Sequence, residues 1–305
     1  MKDTIFFKQA ELLLKILPII FKEKIFALKG GTAINFFIRD LPRLSVDVDL
    51  TYLPINERNL ALSDITSALI RISENIKRLI PKTKIFPKKL HGTEYLRGII
   101  VNQEGVTVKI EPNLIIRGSV YPPKTWSLSK KAQDIFELSV QCQILSPDEL
   151  YAGKICAALD RQHPRDLFDI WLLMKNEGLT PQLRKIFIVY LISHSRPMIE
   201  ILNPKPKDIR DTFEKEFKSM IAEQVSYEEL EETREKIVSW LKSDLTMDER
   251  EFILSIKEGN PKWDLLPFEG IEKLPAVKWK LLNIKRMDSI KRKIAIHNLR
   301  NYLEI

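Results

Sequence analysis

Apolar positions follow one pattern in the first half of the chain and another in the second. In the first half, short apolar runs bounded by Gly, Pro or Asn predict strands, and longer stretches with helical spacing lie between them. The predicted strands cover residues 25–28, 46–53, 84–87, 94–101 and 106–116, and the predicted helices cover residues 32–39 and 56–79. Residues 102–105 predict a hairpin turn between the last two strands.

The second half is predicted to be almost entirely helical. Ser146, Pro147 and Glu149 have the spacing of an N-cap, a first helical position and a capping box. Helices are then expected to about residue 160, over 164–176, and through most of the chain after residue 180. The pattern therefore predicts an α+β protein, with a sheet-containing lobe over residues 1–145 and a helical lobe over residues 146–305.

Composition favours a soluble globular protein with a sizeable core. Of its 305 residues, 44% are hydrophobic and 30% are charged. The longest uncharged run, residues 138–147, is too short to cross a bilayer, and charged residues interrupt the apolar N-terminus, so we expect neither a membrane span nor a signal peptide. Two cysteines and four scattered histidines make a structural zinc site improbable and fit a cytoplasmic location.

Charge is distributed unevenly along the chain. Residues 77–97 contain seven basic side chains and one acid, and residues 271–305 contain nine basic side chains and three acids. Basic stretches of this kind suit an RNA or nucleotide partner, because cationic side chains release the counterions of phosphates. The alternative, lysines that merely solubilise helix faces, is equally compatible with the sequence.

A glycine turn followed by two spaced aspartates is the most informative chemical pattern. Gly30 and Gly31 lie between a predicted strand and a predicted helix, a layout that directs backbone N–H groups at an anion. Asp47 and Asp49 alternate along the next strand, so their carboxylates face the same way and repel each other unless a cation lies between them. Two carboxylates together with phosphate oxygens suit Mg²⁺. The alternative is a solvated strand edge.

A third carboxylate is expected from a neighbouring strand. If Val108 and Ile110 face the core, Lys109 and Glu111 share the opposite face. Glu111 is therefore the candidate for the third metal or base position, and Lys109 is a candidate phosphate contact. An ordinary half-buried strand with its polar residues in solvent is the alternative.

Two predicted helices carry a second charged cluster around residue 163. Its members are Lys154, Arg161, Arg165, Asp166 and Asp169. The cationic side chains could hold triphosphate oxygens, while an aspartate fixes the lysine or positions an acceptor hydroxyl. An Arg–Asp network that only ties two helices together is equally compatible with the spacing.

These blocks together resemble the AbiEii/AbiGii toxin family, whose members are nucleotidyltransferase-fold proteins related to the MenT toxins. The segments that carry the resemblance are residues 28–33 (LKGGTA), 43–50 (RLSVDVDL), 149–159 with Arg161 and 165–169, and 274–284 (LPAVKWKLLNI). The resemblance spans most of the chain. It implies a nucleotidyltransferase-type mixed sheet with flanking helices, followed by a mostly helical C-terminal lobe.

The resemblance also implies a function. Such proteins bind an NTP with Mg²⁺ or Mn²⁺, and some transfer nucleotides to the 3′ end of tRNA, which stops translation. We therefore expect a growth-inhibiting toxin of a toxin–antitoxin or abortive-infection system, active in phage defence and paired with an antitoxin encoded nearby.

Carried over by position, the resemblance assigns roles to individual residues. Gly30, Gly31 and Thr32 would hold phosphate, Asp47 and Asp49 would bind metal, and Lys154 and Asp169 would be the essential lysine and aspartate of the second block. Ser45 would contact phosphate or be the target of a self-inactivating modification. The chain departs from the broader superfamily in having Gly-Gly-Thr in place of Gly-Ser, and Glu111 in place of an aspartate.

Two other functions are compatible with the sequence. One is nucleotidyl transfer to a small molecule or a protein, against which the basic stretches are modest evidence. The other is a non-catalytic nucleotide-binding or RNA-binding module, which the presence of both Asp47 and Asp49 disfavours.

Overall fold

The computed structural model describes residues 4–305, which form two compact units. The first unit contains the described residues up to Leu150 together with Lys218–Gln224, and the second contains Tyr151–Phe217 and Val225–Ile305. The protein has a mixed α+β architecture, as predicted.

A seven-stranded sheet with strand order β3-β4-β5-β2-β1-β7-β6 forms the first unit. The strands are β1 Phe26–Lys29, β2 Asp47–Tyr52, β3 Thr83–Lys89, β4 Leu96–Gln103, β5 Val106–Asn113, β6 Lys124–Ser127 and β7 Gln141–Ile144. The sheet is mixed, because β2 runs parallel to β5 and β1 parallel to β7 while the other neighbouring pairs are antiparallel.

Two long helices of the first unit pack on this sheet and contact each other. Helix α1, Ile5–Ile20, contacts β5, and helix α3, Arg58–Leu79, contacts β3 and β4. The apolar residues of the strands, among them Val48, Val108 and Ile110, are buried. The alternate positions of β2 and β5 lie on the opposite face, where the charged side chains are.

Most elements predicted for this unit are confirmed, but the stretch before residue 146 contains more structure than the sequence pattern indicated. The hairpin turn is confirmed, because Glu104 and Gly105 both have positive φ, at 50° and 89°. Strands β6 and β7, and helix α4 at Lys130–Phe136 between them, were not predicted. Their apolar runs are too short and too interrupted to show either period clearly.

The predicted helix after the glycine turn has an irregular winding. It begins as helix α2, Gly30–Ala33, and continues as a π-helical turn, Ile34–Ile38, in which the Arg39 N–H bonds to the Ile34 carbonyl at 2.7 Å. π-helical turns are rare and occur frequently at functional sites.

A segment distant in sequence completes the first unit. Within Lys218–Gln224, the carbonyl of Met220 accepts from the Leu44 N–H at 2.9 Å, and the Ala222 N–H donates to the Pro42 carbonyl at 2.8 Å. The loop that leads into β2 is therefore held by backbone hydrogen bonds to a segment that follows it by more than 170 positions in the sequence.

The second unit is helical, as predicted. Its α-helices are α5 Pro147–Asp160 (which begins in the first unit), α6 Pro164–Asn176, α7 Pro181–Ser193, α8 Met198–Leu202, α9 Arg210–Thr212, α10 Tyr227–Asp244, α11 Met247–Glu258, α12 Pro275–Lys285 and α13 Ser289–Leu303. Capping boxes start α10 and α11, with Ser226 and Thr246 as the N-caps. None of the helices formed by residues 4–305 has both the length and the apolar character that a membrane crossing requires.

Candidate active site

The glycine turn brings the backbone directly against an aspartate of β2. Gly30 follows β1 with a φ of +72°, a conformation that favours glycine. A Cβ atom built on Gly30 would lie 2.3 Å from Oδ2 of Asp49. Only glycine fits here, and the Asp49 carboxylate consequently lies against the start of helix α2.

Thr32 connects this turn to β2 through its hydroxyl group. Its Oγ1 lies 2.6 Å from the carbonyl oxygen of Asp47 and 2.9 Å from Oγ of Ser45. A carbonyl oxygen can only accept a hydrogen bond, and a hydroxyl group has one proton to donate. Thr32 therefore donates its hydrogen bond to the Asp47 backbone carbonyl and accepts one from the Ser45 hydroxyl. Thr32 is 1% exposed and Ser45 is 8% exposed, so these hydroxyls hold the loop in place in this conformation.

Arg43 is a site residue to which the sequence analysis assigned no role. Its side chain is buried, it donates from Nη1 to the Leu44 carbonyl at 2.9 Å, and its Nη2 would be 2.6 Å from a Cβ on Gly31. A guanidinium beside the backbone of a glycine turn adds positive potential where an anion would approach. In the sequence, the only indication of a role was that Arg43 is the first residue of the segment 43–50, which resembles the AbiEii/AbiGii family.

The predicted face of β2 and β5 is confirmed by the strand register. Asp47 pairs with Lys109, and Asp49 pairs with Glu111, so the two pairs stand side by side on one face. Lys109 and Glu111 are exposed, and both aspartates are half-buried. Neighbouring strands are about 4.8 Å apart, which places the Asp49 and Glu111 side chains next to each other.

The donor chemistry of this face fits a hard divalent cation. Carboxylate oxygens are the ligands that Mg²⁺ prefers, together with water and phosphate oxygens. Within residues 4–305, however, no group of three or more His, Cys, Asp or Glu side chains is gathered closely enough to hold a metal. Asp47 and Asp49 as metal ligands, with Glu111 as the third, therefore stay a prediction that rests on the register.

The second charged cluster lies in the helical unit, and it is compact and buried. Nζ of Lys154 lies 2.9 Å from Oδ1 of Asp166 and 3.0 Å from Oδ2 of Asp169, and all three side chains are at most 6% exposed. The Arg161 guanidinium forms two hydrogen bonds with the Asp166 carboxylate, while its own side chain is 60% exposed. The cluster therefore joins helices α5 and α6.

Asp166 stays ionised inside this cluster. Burial by itself would raise the pKa of its carboxyl group, but the Lys154 ammonium and the Arg161 guanidinium outweigh that effect and hold the pKa well below its usual range. Asp166 is thus the residue that joins both cations. Arg165, in the first turn of α6, is half-buried, and in the described part of the chain no ion pair joins its guanidinium to Asp166 or Asp169.

Comparisons with known proteins identify the fold and the family. Residues 11–243 match the family model described as nucleotidyl transferase AbiEii toxin, type IV TA system. Among solved structures, the chain is similar to MenT4, a nucleotidyltransferase toxin from Mycobacterium tuberculosis H37Rv, with a TM-score of 0.60, at 12% sequence identity, over 97% of this chain and 93% of that one. At this identity the likeness establishes the fold alone. No curated protein matches the chain in sequence. Because the family model covers most of the sequence, the chain belongs to the AbiEii family of nucleotidyltransferase toxins of type IV toxin–antitoxin systems.

Proposed function

We propose that this toxin transfers a nucleotide from an NTP to RNA, at the 3′ end of tRNA, in a reaction that depends on Mg²⁺. The observation that supports this proposal best is the position of the Asp49 carboxylate against the Gly30 turn, with Asp47 and Glu111 on the same face. Nucleotidyl transfer needs a place for phosphates beside a place for a cation, and this face offers both within one small region.

The turn is the phosphate-binding element of the proposal. In the proposal the backbone N–H groups of Gly30 and Gly31, at the start of α2, bind phosphate oxygens, and the buried Arg43 guanidinium beside Gly31 adds positive charge there. Thr32 and Ser45 hold the turn against β2 through their hydroxyl groups. In this arrangement the loop is preorganised for a triphosphate, so little reorganisation is needed when the substrate binds.

The carboxylates are the chemical part of the site. In the proposed reaction the 3′ oxygen of the acceptor forms a bond with the α-phosphorus, the bond from that phosphorus to pyrophosphate breaks, and the acceptor hydroxyl loses its proton. Mg²⁺, when bound by Asp47 and Asp49, would stabilise the charge that develops on the phosphate oxygens. Glu111 is exposed beside Asp49 and either completes the metal site or accepts the proton. Lys109, beside Asp47, contacts phosphate.

The helical unit carries two arginines for which this proposal also suggests a role. The Lys154 ammonium is already engaged by Asp166 and Asp169, so its role is to position Arg161 through the shared Asp166 carboxylate. Arg161 presents an exposed guanidinium, and Arg165 lies one residue before Asp166. We propose phosphate binding as the role of the two arginines, because planar guanidinium groups suit bidentate contacts with phosphate.

At the level of the cell, we propose a growth-inhibiting toxin that acts in the cytoplasm as part of phage defence. Modification of the tRNA 3′ end would block translation, and an antitoxin encoded beside the toxin would restrain it.

The test is a transfer assay. Purified protein is incubated with each of the four NTPs, labelled at the α-phosphate, in the presence of total RNA and Mg²⁺. We expect label in the tRNA band with at least one NTP, and no label when EDTA removes the divalent cation. A sample without RNA, to which cell extract proteins or small-molecule metabolites are added, serves as the comparison.

The outcomes separate the alternatives. Label in a protein or a small molecule, with none in RNA, would show that the acceptor is not RNA and would leave the proposed nucleotidyl transfer standing. No label with any NTP in any sample, together with toxicity that persists in Asp47→Ala, would contradict nucleotidyl transfer as the basis of toxicity.

A further inference from the structure

The sheet face that carries the carboxylates continues outward to the edge strand β3. The register defines two neighbouring rows across the strands. The first row runs from Asp47 through Lys109 and Ile100 to Phe86. The second runs from Asp49 through Glu111 and Gly98 to Lys88. Directly opposite residues share a face, so Phe86 and Lys88 stand on the same side of the sheet as the carboxylates.

Phe86 is unusual among the aromatic residues of this chain. It is 52% exposed, although phenylalanine is normally buried, and within residues 4–305 no other aromatic ring stacks on it. Its row neighbour Ile100 is half-buried. An exposed ring on a sheet face offers a planar apolar surface of the kind on which a nucleobase stacks.

Lysines flank this ring on the same face. Lys84 and Lys88 are two residues before and after Phe86 along β3, and therefore point the same way. Neither forms an ion pair within the described residues, whereas Lys82 and Lys89 are paired with Glu104 and Glu94 at 2.6 Å. The cations that face the same side as Phe86 are the ones left without acidic partners.

Together with Lys109, these residues form a continuous surface, here called the sheet platform: Lys84, Phe86, Lys88 and Lys109. Three strand spacings separate Phe86 from Asp47, a distance of about 14 Å. We propose that the sheet platform binds the single-stranded end of an RNA acceptor, with a base stacked on Phe86 and phosphates beside the lysines. The inference rests on the proposed function, because it supplies the path by which the RNA end reaches the carboxylates.

Stacking and charge together favour single-stranded nucleic acid over a protein partner. Aromatic rings between cations, on an open sheet face, can bind any base through its flat surface while the cations follow the backbone. A protein partner would need a larger apolar area or an unprotected strand edge. The edge strand β3 is protected, because lysines and a proline discourage pairing with another strand: Lys84, Pro87, Lys88 and Lys89.

The experiment is a binding titration with the full chain, without NTP or added metal. The probe is a fluorescein-labelled hairpin RNA with a short single-stranded 3′ tail, and a blunt hairpin of the same stem is the comparison RNA. Phe86→Ala should weaken binding to the tailed RNA roughly 5- to 150-fold, since that is the range for removal of one stacked base. Phe86→Tyr, which keeps the ring, should bind like wild type, and Phe86→Leu should resemble Phe86→Ala.

Leu60 provides a matched control. It is 54% exposed, in the same unit, on helix α3, and Leu60→Ala should bind the RNA like wild type. Lys84→Gln and Lys88→Gln should each reduce the slope of log affinity against log salt by about 0.7, because one phosphate contact is lost on a single strand. Unchanged binding by Phe86→Ala, or equal loss in Leu60→Ala, would overturn the proposal, as would equal affinity for blunt and tailed RNA.

Failure of this inference is distinguishable from failure of the proposed function. Phe86-dependent RNA binding without nucleotide transfer would support the platform and contradict the transfer reaction. If the wild type transferred nucleotides to a protein and did not bind RNA, RNA binding by the sheet platform would be contradicted, while nucleotidyl transfer itself would still be supported.

Discussion

Carboxylates gather at two places in this protein, and their surroundings differ. On the sheet face, Asp49 and Glu111 stand side by side on adjacent strands, and no residue in the range 4–305 forms an ion pair with either of them. In the helical unit, Asp166 and Asp169 are almost fully buried and are held by Lys154 within 3.0 Å. Asp49 and Glu111 are therefore unpaired within the described residues although Lys109 lies on the same face, whereas Asp166 and Asp169 are buried and neutralised.

The difference indicates which cluster is built for a ligand. Like charges on neighbouring strands destabilise a sheet, so Asp49 and Glu111, which form no ion pair within the described residues, gain from a bound cation. A buried ion pair, by contrast, is satisfied without a ligand, and removal of one partner leaves a buried charge uncompensated. The first arrangement suits chemistry with a metal and a phosphate, and the second suits the positioning of helices and of the exposed Arg161 guanidinium.

The largest expected effect is on stability, and it separates the two clusters. Lys154→Met should lower the free energy of unfolding by about 3–5 kcal/mol, because two buried aspartates lose their shared cation. Asp49→Asn should leave it unchanged or raise it slightly, since it removes a repulsion. Urea unfolding followed by circular dichroism measures both, with Lys130→Met, which affects an exposed ion pair, as the neutral control. If Asp49→Asn lowered the free energy of unfolding as much as Lys154→Met does, the proposed difference between the two clusters would be contradicted.

The buried cluster should also make the protein sensitive to acid. The pKa of Asp166 is lower in the folded state than in the unfolded chain, so the unfolded chain takes up a proton first as the pH falls. The contribution of Asp166 to stability is therefore complete above about pH 4, the usual pKa range of aspartate, and is lost progressively below it. Urea midpoints measured from pH 5 downward should fall more steeply in wild type than in Asp166→Asn. Parallel curves would show that this carboxylate does not govern acid sensitivity.

The glycine turn allows a sharper test of the open cluster. Gly30 and Gly92 both have φ near +70°, but a Cβ on Gly30 would meet Asp49, whereas a Cβ on Gly92 would meet nothing within 4 Å. Both alanine variants should lose about 1–2 kcal/mol of stability through backbone strain. Gly30→Ala should lose more than Gly92→Ala, and it alone should lose nucleotide transfer, because Asp49 is displaced. Equal stability and equal activity in the two variants would argue against the close approach of the turn to the aspartate.

The last expected effect is spread over more than two pH units and concerns a buried cation, Lys280, that is hydrogen-bonded to a backbone carbonyl. Burial, followed by repulsion from Lys257, lowers the pKa of Lys280 to about 8, and its ammonium group donates to the Arg196 carbonyl. Between pH 8 and about 10.4, the unfolded chain holds a proton that the folded chain has lost, so stability should rise with pH by up to about 1.4 kcal/mol per unit. Lys280→Met should flatten that rise in thermal unfolding at alkaline pH, and an identical slope would contradict the assignment.

The sequence was most informative where residues next to each other in the chain determine the geometry. Alternation along β2 and β5 correctly predicted that Asp47 and Asp49 share a face with Lys109 and Glu111, because side-chain direction in a strand depends only on parity. The glycine turn was predictable for the same reason, since a local signal marks the end of a strand and the start of a helix.

What the sequence could not predict depends on contacts between distant segments. The hydrogen bonds from residues 42–44 to 220–222 join parts of the chain that show no common pattern. The spacing of Lys154, Asp166 and Asp169 suggested a cluster, but whether the lysine faces a phosphate or two aspartates depends on how α5 packs on α6. The burial of Arg43 and of the Thr32 hydroxyl likewise depends on packing around the turn.

The central claim is that the open carboxylate cluster carries out the chemistry, and the rate of nucleotide transfer by Asp49→Asn tests it most directly. The variant keeps the size of the side chain and removes its charge, and its stability is checked by the same urea titration. We predict that labelled NTP is transferred to RNA by the wild type and that the rate falls roughly 100-fold or more in the folded variant, since a charge at the reacting phosphate is lost. Transfer at the wild-type rate by folded Asp49→Asn would contradict the claim.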